Sequence, residues 1–244
     1  MPPIRRRRRG WLAVVLAAGL PQGAAAGDPN GLPQGAAAGD PNGLLHAMQA
    51  CLADPHAAGC TEVDRADGFV VIRDDSPAKP EAWLIVPDRE VTGIESPAVF
   101  DPPVADFWRY GWDLGGRLLP ERAAADRGLA INSEAGRSQD LLHIHISCVL
   151  PKVRAALAGA AIGPDWAPAP FLRLGTHDYN VRKVAALDPS PFLRLAELPG
   201  ARADMGEQSL AVIGAADGGF YLVTDSTEPG VVAEAEELLD EACR

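Results

Sequence analysis

Residues 141–149 read Leu-Leu-His-Ile-His-Ile-Ser-Cys-Val, and this alternation of polar and apolar side chains constrains the fold more than any other feature of the chain. Successive side chains of a β-strand point to opposite faces of the sheet. The pattern therefore predicts one face with His143, His145 and Ser147 and another with Ile144, Ile146 and Cys148. The apolar face can pack against a core while the polar face holds two imidazoles on a rigid support.

Three pairs of short strand-like segments set the expected fold class. They cover residues 68–73 with 82–86, 129–132 with 141–149, and 208–213 with 220–223. Apolar spacing and helix start signals predict helices at 44–52, 104–119, 151–160, 190–198 and 231–243, and residues 171–174 are expected to be extended. Hairpins with interspersed helices favour an α+β fold in which helices flank an antiparallel sheet.

The N-terminal region has the three parts of an export signal. A run of five arginines at 5–9 precedes an apolar stretch at 11–20 and three alanines at 24–26. We expect residues 1–26 to be a signal peptide or an uncleaved N-terminal anchor. The protein is then exported.

A twelve-residue segment, LPQGAAAGDPNG, occurs at 20–31 and again without change at 32–43. A unit of this composition cannot bury a hydrophobic face, so we expect residues 27–43 to be a duplicated low-complexity linker. The folded domain is then expected to cover residues 44–244.

The net charge of −11 limits the partners of the chain. Five of its 22 basic residues lie in the arginine run at 5–9, so the remainder is more acidic still. Such a surface repels nucleic acid, which we do not expect as a partner. An anionic substrate would have to be met by local basic groups.

Four cysteines in an exported chain indicate two disulfides. Of the three possible connectivities, we favour Cys51 with Cys60 and Cys148 with Cys243. The second bond would tie the C-terminal segment to the histidine strand. As an alternative, Cys148 would serve as a metal ligand beside the two histidines, although strand alternation points it away from them.

The loop before the histidine strand is suited to receive an anion. Asn132, Arg137, Ser138 and the backbone N–H groups around Gly136 offer hydrogen bonds to phosphate oxygens. A neutral imidazole on the adjoining strand is nucleophilic near neutral pH. With no carboxylate cluster expected beside it, the combination points to phosphorus chemistry driven by positioning and charge stabilisation.

Ser147 and a second polar cluster at 176–183 complete the candidate phosphate-binding residues. His177 and Arg182 in that cluster would bind a diphosphate. The alternative interpretation of the cluster is a solvated turn before a strand.

Several blocks of the sequence, in this order and spacing, resemble the CDP-diacylglycerol diphosphatase (CDP-diacylglycerol pyrophosphatase) family of the histidine-triad (HIT)-like superfamily. They are CTEVD at 60–64, TGIESP at 92–97, FW at 107–108, NS at 132–133, GRS at 136–138, LHIHISC at 142–148, and EELL at 236–239 with Cys243. The resemblance implies a HIT-like domain over 44–244 that hydrolyses CDP-diacylglycerol to CMP and phosphatidate through a histidine-bound nucleotide. It also implies work at a membrane surface, on the periplasmic face of the bacterial inner membrane, with no metal or other cofactor.

The superfamily pattern is His-x-His-x-His with the middle histidine as nucleophile, whereas this chain has two histidines. In one register His143 is the nucleophile, Leu141 replaces the first histidine and His145 is the third. In the other, His145 is the nucleophile and Ser147 is the third member. Counting from Ser138 favours His143, and we expect both histidines to be catalytic.

Two rival functions remain open. One is a HIT-type hydrolase of another, soluble nucleotide. The other is an exported metal-binding protein that uses His143, His145 and Cys148.

Overall fold

A computed structural model describes residues 40–74 and 76–244. The expected signal or anchor and most of the expected linker therefore lie outside the described residues. The helices are α1 (Gly43–Ala53), α2 (Phe107–Leu118), α3 (Pro151–Ala158) and α4 (Pro191–Leu195). The strands are β1 (Cys60–Asp64), β2 (Phe69–Arg73), β3 (Trp83–Pro87), β4 (Arg127–Ile131), β5 (Ile144–Val149), β6 (Ala167–Pro168), β7 (Asn180–Val184), β8 (Leu210–Gly214), β9 (Phe220–Thr224) and β10 (Leu239–Asp240).

The strands form one antiparallel sheet in the order β1-β2-β3-β5-β4-β8-β9-β7-β6, and β10 pairs with β5. All three expected hairpins are present, as β2 with β3, β4 with β5, and β8 with β9. The predicted α+β class, with helices flanking an antiparallel sheet, is confirmed. No helix among residues 40–74 and 76–244 combines the length and the apolar character needed to cross a membrane.

Strand β5 lies in the middle of the sheet, and its two faces differ as its sequence predicts. Ile144, Ile146 and Cys148 belong to the core beneath α2 and α4, which also contains Trp108 and Phe192. His143 and His145 belong to the opposite face. That face carries two smaller clusters, one under α1 that includes Leu84 and one under α3 that includes Leu239.

The C-terminal segment differs from the predicted helix at 231–243. A short 3₁₀ turn (Ala235–Leu238) is followed by β10, which pairs Leu239 with Val149 and Asp240 with Cys148. The acidic, alanine-rich composition favours a helix locally, but the tertiary contacts of this segment override it. Its backbone bonds to β5, and Cys243 is covalently bound to Cys148.

Residues 171–174, predicted to be extended, form no strand: they begin in a turn and end in a bend. The chain turns at Gly175, whose φ of 54° suits glycine, before it enters β7. Both expected disulfides are present, Cys51 with Cys60 and Cys148 with Cys243.

Candidate active site

A cavity of about 430 Å³ opens on the histidine face of β5, between the cluster under α1 and the C-terminal segment. Four parts of the chain supply its polar lining: the turn between β2 and β3, the loop that follows β4, the start of β5, and residues 234–241. The lining residues are Asp74, Lys79, Leu84, Asn132, Gly136, Ser138, Gln139, His143, His145, Glu234, Glu236, Glu237, Leu239 and Glu241.

His143 lies immediately before β5, and its ring is fixed by the backbone. Its Nδ1 is 2.7 Å from the carbonyl oxygen of Leu141, so Nδ1 carries the proton and donates it to that carbonyl. The lone pair is therefore on Nε2. Burial, together with the charge of the neighbouring His145, lowers the pKa of His143 to about 4. The geometry and the pKa both give a neutral imidazole with a free Nε2, which is a nucleophile.

His145 has the opposite electrostatic setting, although its ring centre is only 5.1 Å from that of His143. Its Nε2 is 3.3 Å from Glu236 and its Nδ1 is 3.6 Å from Glu241. These are ion-pair distances, and neither contact has hydrogen-bond geometry. Burial alone would lower the pKa of His145, but Glu236 and Glu241 outweigh it and raise the pKa. The arrangement favours an imidazolium between two carboxylates.

Lys79 is the second cation of the cavity. Its Nζ donates to Glu236 at 2.6 Å, forms an ion pair with Glu241 at 3.0 Å, and lies 3.9 Å from Asp74. Burial alone would lower the pKa of Lys79, but the two glutamates raise it. Burial raises the pKa of Asp74 to about 7. The sequence predicts no carboxylate cluster beside the histidines. The structure has one, and its carboxylates are paired with Lys79 and His145.

The loop after β4 supports this cluster as well as the cavity wall. Asn132 binds Glu236 twice, since its Nδ2 donates to the carboxylate at 3.0 Å and its Oδ1 accepts from the backbone N–H at 3.0 Å. Ser138 is exposed and lines the cavity. Arg137 instead forms a bidentate pair with Glu95, at 2.6 and 2.8 Å, and does not line the cavity.

The other expected phosphate-binding residues lie outside the cavity lining. Ser147 is fully buried, and its hydroxyl donates to the carbonyl of Glu81 at 2.7 Å. Arg182 binds Glu197 and the carbonyl of Pro164. Ser147, Arg182 and Arg137 therefore do not line the cavity, although the charge of Arg137 contributes to the lowered pKa of His143.

His177 is separated from the cavity by one carboxylate. Its Nδ1 is 2.7 Å from Asp225, and its Nε2 is 3.3 Å from Oε1 of Glu237, a residue of the cavity lining. It adjoins the site rather than facing it.

One trio of side chains has the composition of a metal site. Potential ligand atoms of His145, Glu236 and Glu241 lie within 4.8 Å of one another. However, the two ring nitrogens of His145 face different carboxylates, Nε2 that of Glu236 at 3.3 Å and Nδ1 that of Glu241 at 3.6 Å. Lys79 already binds both glutamates. Cys148 cannot supply a thiolate, because it is bound to Cys243, and the metal-binding hypothesis that relied on it is wrong in that respect.

Sequence reasoning missed Asp74, Lys79 and Glu241 as parts of the site. Lys79 lies in a turn between two strands, a position where a charged residue is ordinary. The EELL block at 236–239 did carry a signal through its resemblance to a known family. Reading residues 231–243 as a helix obscured it, because a helix distributes its carboxylates over several faces.

Comparisons with known proteins agree on one family. A family model described as CDP-diacylglycerol pyrophosphatase matches residues 39–244. A curated relative from Yersinia pestis, named CDP-diacylglycerol pyrophosphatase, is 38% identical over 197 residues, which cover 76% of this chain and 75% of the relative.

The chain is also similar to solved structures of a yeast protein. Ap4A phosphorylase Apa2 in complex with AMP gives a TM-score of 0.45 at 13% identity, covering 75% of this chain and 64% of that one. The complex with Ap4A gives a TM-score of 0.44 at 14% identity, covering 75% and 65%. This chain thus spans less than two thirds of the yeast protein's length.

Proposed function

Since the chain belongs to the CDP-diacylglycerol pyrophosphatase family, we propose that it hydrolyses CDP-diacylglycerol to CMP and phosphatidate. The observation that carries the mechanism is the 2.7 Å contact between Nδ1 of His143 and the carbonyl of Leu141. It leaves the lone pair of Nε2 free in a cavity that adjoins the anion-receiving loop. This supports His143 rather than His145 as the nucleophile.

In the first step, Nε2 of His143 attacks the phosphorus that bears the cytidine. The new N–P bond forms as the bond from that phosphorus to the bridging oxygen breaks, and phosphatidate leaves with the electron pair. In the second step, water attacks the same phosphorus, CMP leaves with the oxygen of that water, a proton is released, and His143 is regenerated.

The cations of the cavity have distinct tasks in this scheme. The His145 imidazolium lies next to His143 and stabilises the negative charge that develops on the bridging oxygen. Lys79 compensates Glu236 and Glu241, which would otherwise repel the diphosphate. Glu236 and Glu241 in turn hold His145 in its charged form. Ser138 and the backbone of the loop after β4 position the phosphate oxygens.

The location of the reaction is part of the same proposal. A lipid substrate with two acyl chains reaches a protein at a membrane surface, and residues 1–26 have the pattern of an export signal or anchor. We place the enzyme at the periplasmic face of the bacterial inner membrane. Proteolytic accessibility in intact spheroplasts tests this location, and protection from external protease would contradict it.

The function is tested by incubating the purified protein with CDP-diacylglycerol in ¹⁸O-labelled water. CMP and phosphatidate should form, with the label in CMP. His143→Ala should lower kcat/KM by at least about 10³-fold, and His145→Ala by about 10²–10⁴-fold. His46→Ala is a matched control, since this exposed histidine in α1 lies outside the cavity lining. Release of CDP and diacylglycerol, or label in phosphatidate, would refute the proposed bond cleavage.

A further inference from the structure

Glu237 is a carboxylate of the cavity that the mechanism above does not use. It belongs to the 3₁₀ turn Ala235–Leu238 and lines the cavity together with Glu236. Unlike Glu236 and Glu241, it has no lysine or arginine within ion-pair distance among residues 40–74 and 76–244. Its charge is thus not compensated by the cations that serve the diphosphate.

Two side chains outside the cavity lining, Tyr179 and His177, hold the Glu237 carboxylate by one of its oxygens. The hydroxyl of Tyr179 donates to Oε1 of Glu237, and Nε2 of His177 is 3.3 Å from the same oxygen. His177 is itself held by Asp225, whose other oxygen accepts from the hydroxyl of Ser209. In the described part of the chain, Oε2 of Glu237 has no hydrogen-bond or ion-pair partner.

A fixed carboxylate with one unclaimed oxygen is a directed acceptor. It repels phosphate oxygens and binds N–H or O–H donors. In a cytidine nucleotide the 4-amino group of the base is such a donor, whereas uracil presents a carbonyl oxygen at the same position. Glutamate accepting from this amino group is an established way of reading cytosine.

We propose that Oε2 of Glu237 accepts a hydrogen bond from the cytosine 4-amino group and makes the cavity selective for cytidine over uridine nucleotides. This inference rests on the proposed function for its substrate class. It assigns the His177, Asp225 and Tyr179 network the task of orienting Glu237, so these are positioning residues.

The experiment compares CDP-diacylglycerol with UDP-diacylglycerol as substrates, and CMP with UMP as ligands measured by calorimetry. The wild type should prefer the cytosine compound by about tenfold to a hundredfold in both measurements, the range of one hydrogen bond to a charged group. Glu237→Gln should reduce this preference to about threefold or less, because an amide can donate to the uracil carbonyl as well as accept from the cytosine amine.

Glu234→Gln is the charge-matched control, because Glu234 also lines the cavity. This variant should keep the preference for cytosine. Tyr179→Phe should lower the preference for cytosine partly. It removes one of the two groups that hold Oε1, so the carboxylate of Glu237 is less firmly oriented. An unchanged preference in Glu237→Gln, or an equal loss for both bases, would overturn the inference. The nucleotide affinities report on Glu237 without turnover, so absence of hydrolysis in the wild type would refute the proposed function alone.

Discussion

At the scale of single residues, the site depends on two histidines of the same strand that have opposite electrostatic settings. His143 donates to a backbone carbonyl and is kept neutral by burial, whereas His145 lies between two carboxylates that favour its charge. In the proposed mechanism, environment rather than residue type therefore distinguishes the nucleophile from the cation, a pattern typical of catalytic pairs.

The pH dependence of kcat/KM tests this division. Activity requires neutral His143, so it should fall as the pH decreases through about 4, the lowered pKa of that residue. It also requires charged His145, so it should fall again as the pH rises through the raised pKa of His145, above its ordinary 6.5. The titratable groups that face His145 are Glu236, Glu241, Lys79, His143 and Asp74.

Glu241→Gln removes one of the two carboxylates that raise the pKa of His145, so its alkaline limb should move to lower pH. Glu234→Gln changes the net charge equally without contacting His145 and should leave that limb in place. An alkaline limb at the same pH in Glu241→Gln and in the wild type would show that His145 is not the titrating group.

The local part of the site could be predicted from sequence, and the distant part could not. One short stretch of the sequence contains Asn132, Ser138, His143 and His145. Strand alternation and the polar composition of the loop are enough to predict their placement there. Lys79 and Glu241 reach the same cavity from sequence-distant segments through tertiary pairing. The position of Arg137 in the loop predicts a phosphate ligand, but its guanidinium is instead paired with the carboxylate of Glu95.

At the scale of secondary structure elements, the C-terminal segment is the second wall of the site, and β5 holds it in three ways. Leu239 and Asp240 pair with β5, the hydroxyl of Ser147 lies 3.3 Å from the carbonyl of Asp240, and Cys243 is bound to Cys148. The disulfide thus fixes the segment that carries Glu236 and Glu241 against the strand that carries His145.

Removing this bond should affect both stability and catalysis. In Cys148→Ser with Cys243→Ser, loss of a cross-link over 95 residues should cost about 4–5 kcal/mol of unfolding free energy. The activity remaining at a temperature where the protein is folded should also fall, because Glu236 and Glu241 lose their fixed distance to His145. Chemical denaturation and kcat measured below the transition check the two effects separately.

The pair Cys51→Ser with Cys60→Ser is the matched control. It opens a loop of only 9 residues, and neither cysteine lines the cavity, so the loss should be about 2–3 kcal/mol with kcat retained. Equal retention of kcat in both double variants would show that the C-terminal disulfide serves stability alone.

At the scale of the whole molecule, the sheet order explains where the cavity lies. Strand β5 is central, and its histidine face is covered by one cluster under α1 and another under α3, with the cavity between them. The hairpins and the α+β class could be predicted, because they depend on local turns and periodicity. The pairings of β3 with β5 and of β4 with β8 could not, because nothing local encodes the register of sequence-distant strands.

The charge balance of the cavity predicts how the enzyme responds to metal removal. Lys79 and His145 already compensate Glu236 and Glu241, so hydrolysis of CDP-diacylglycerol should be undiminished after dialysis against EDTA. Elemental analysis of the purified protein should find no stoichiometric zinc, copper or manganese. Loss of activity that a divalent cation restores, together with metal binding that His145→Ala abolishes, would instead assign His145, Glu236 and Glu241 to a metal.

The central claim is that His143 carries the cytidylyl group between the lipid and water. A single-turnover reaction with CDP-diacylglycerol labelled in the cytidine-bearing phosphate, quenched at alkaline pH within milliseconds and analysed by peptide mass spectrometry, tests it most directly. The mechanism predicts a CMP adduct on His143 that rises and then decays as free CMP appears. Label on another residue, or full turnover with no protein-bound label at any time, would contradict it.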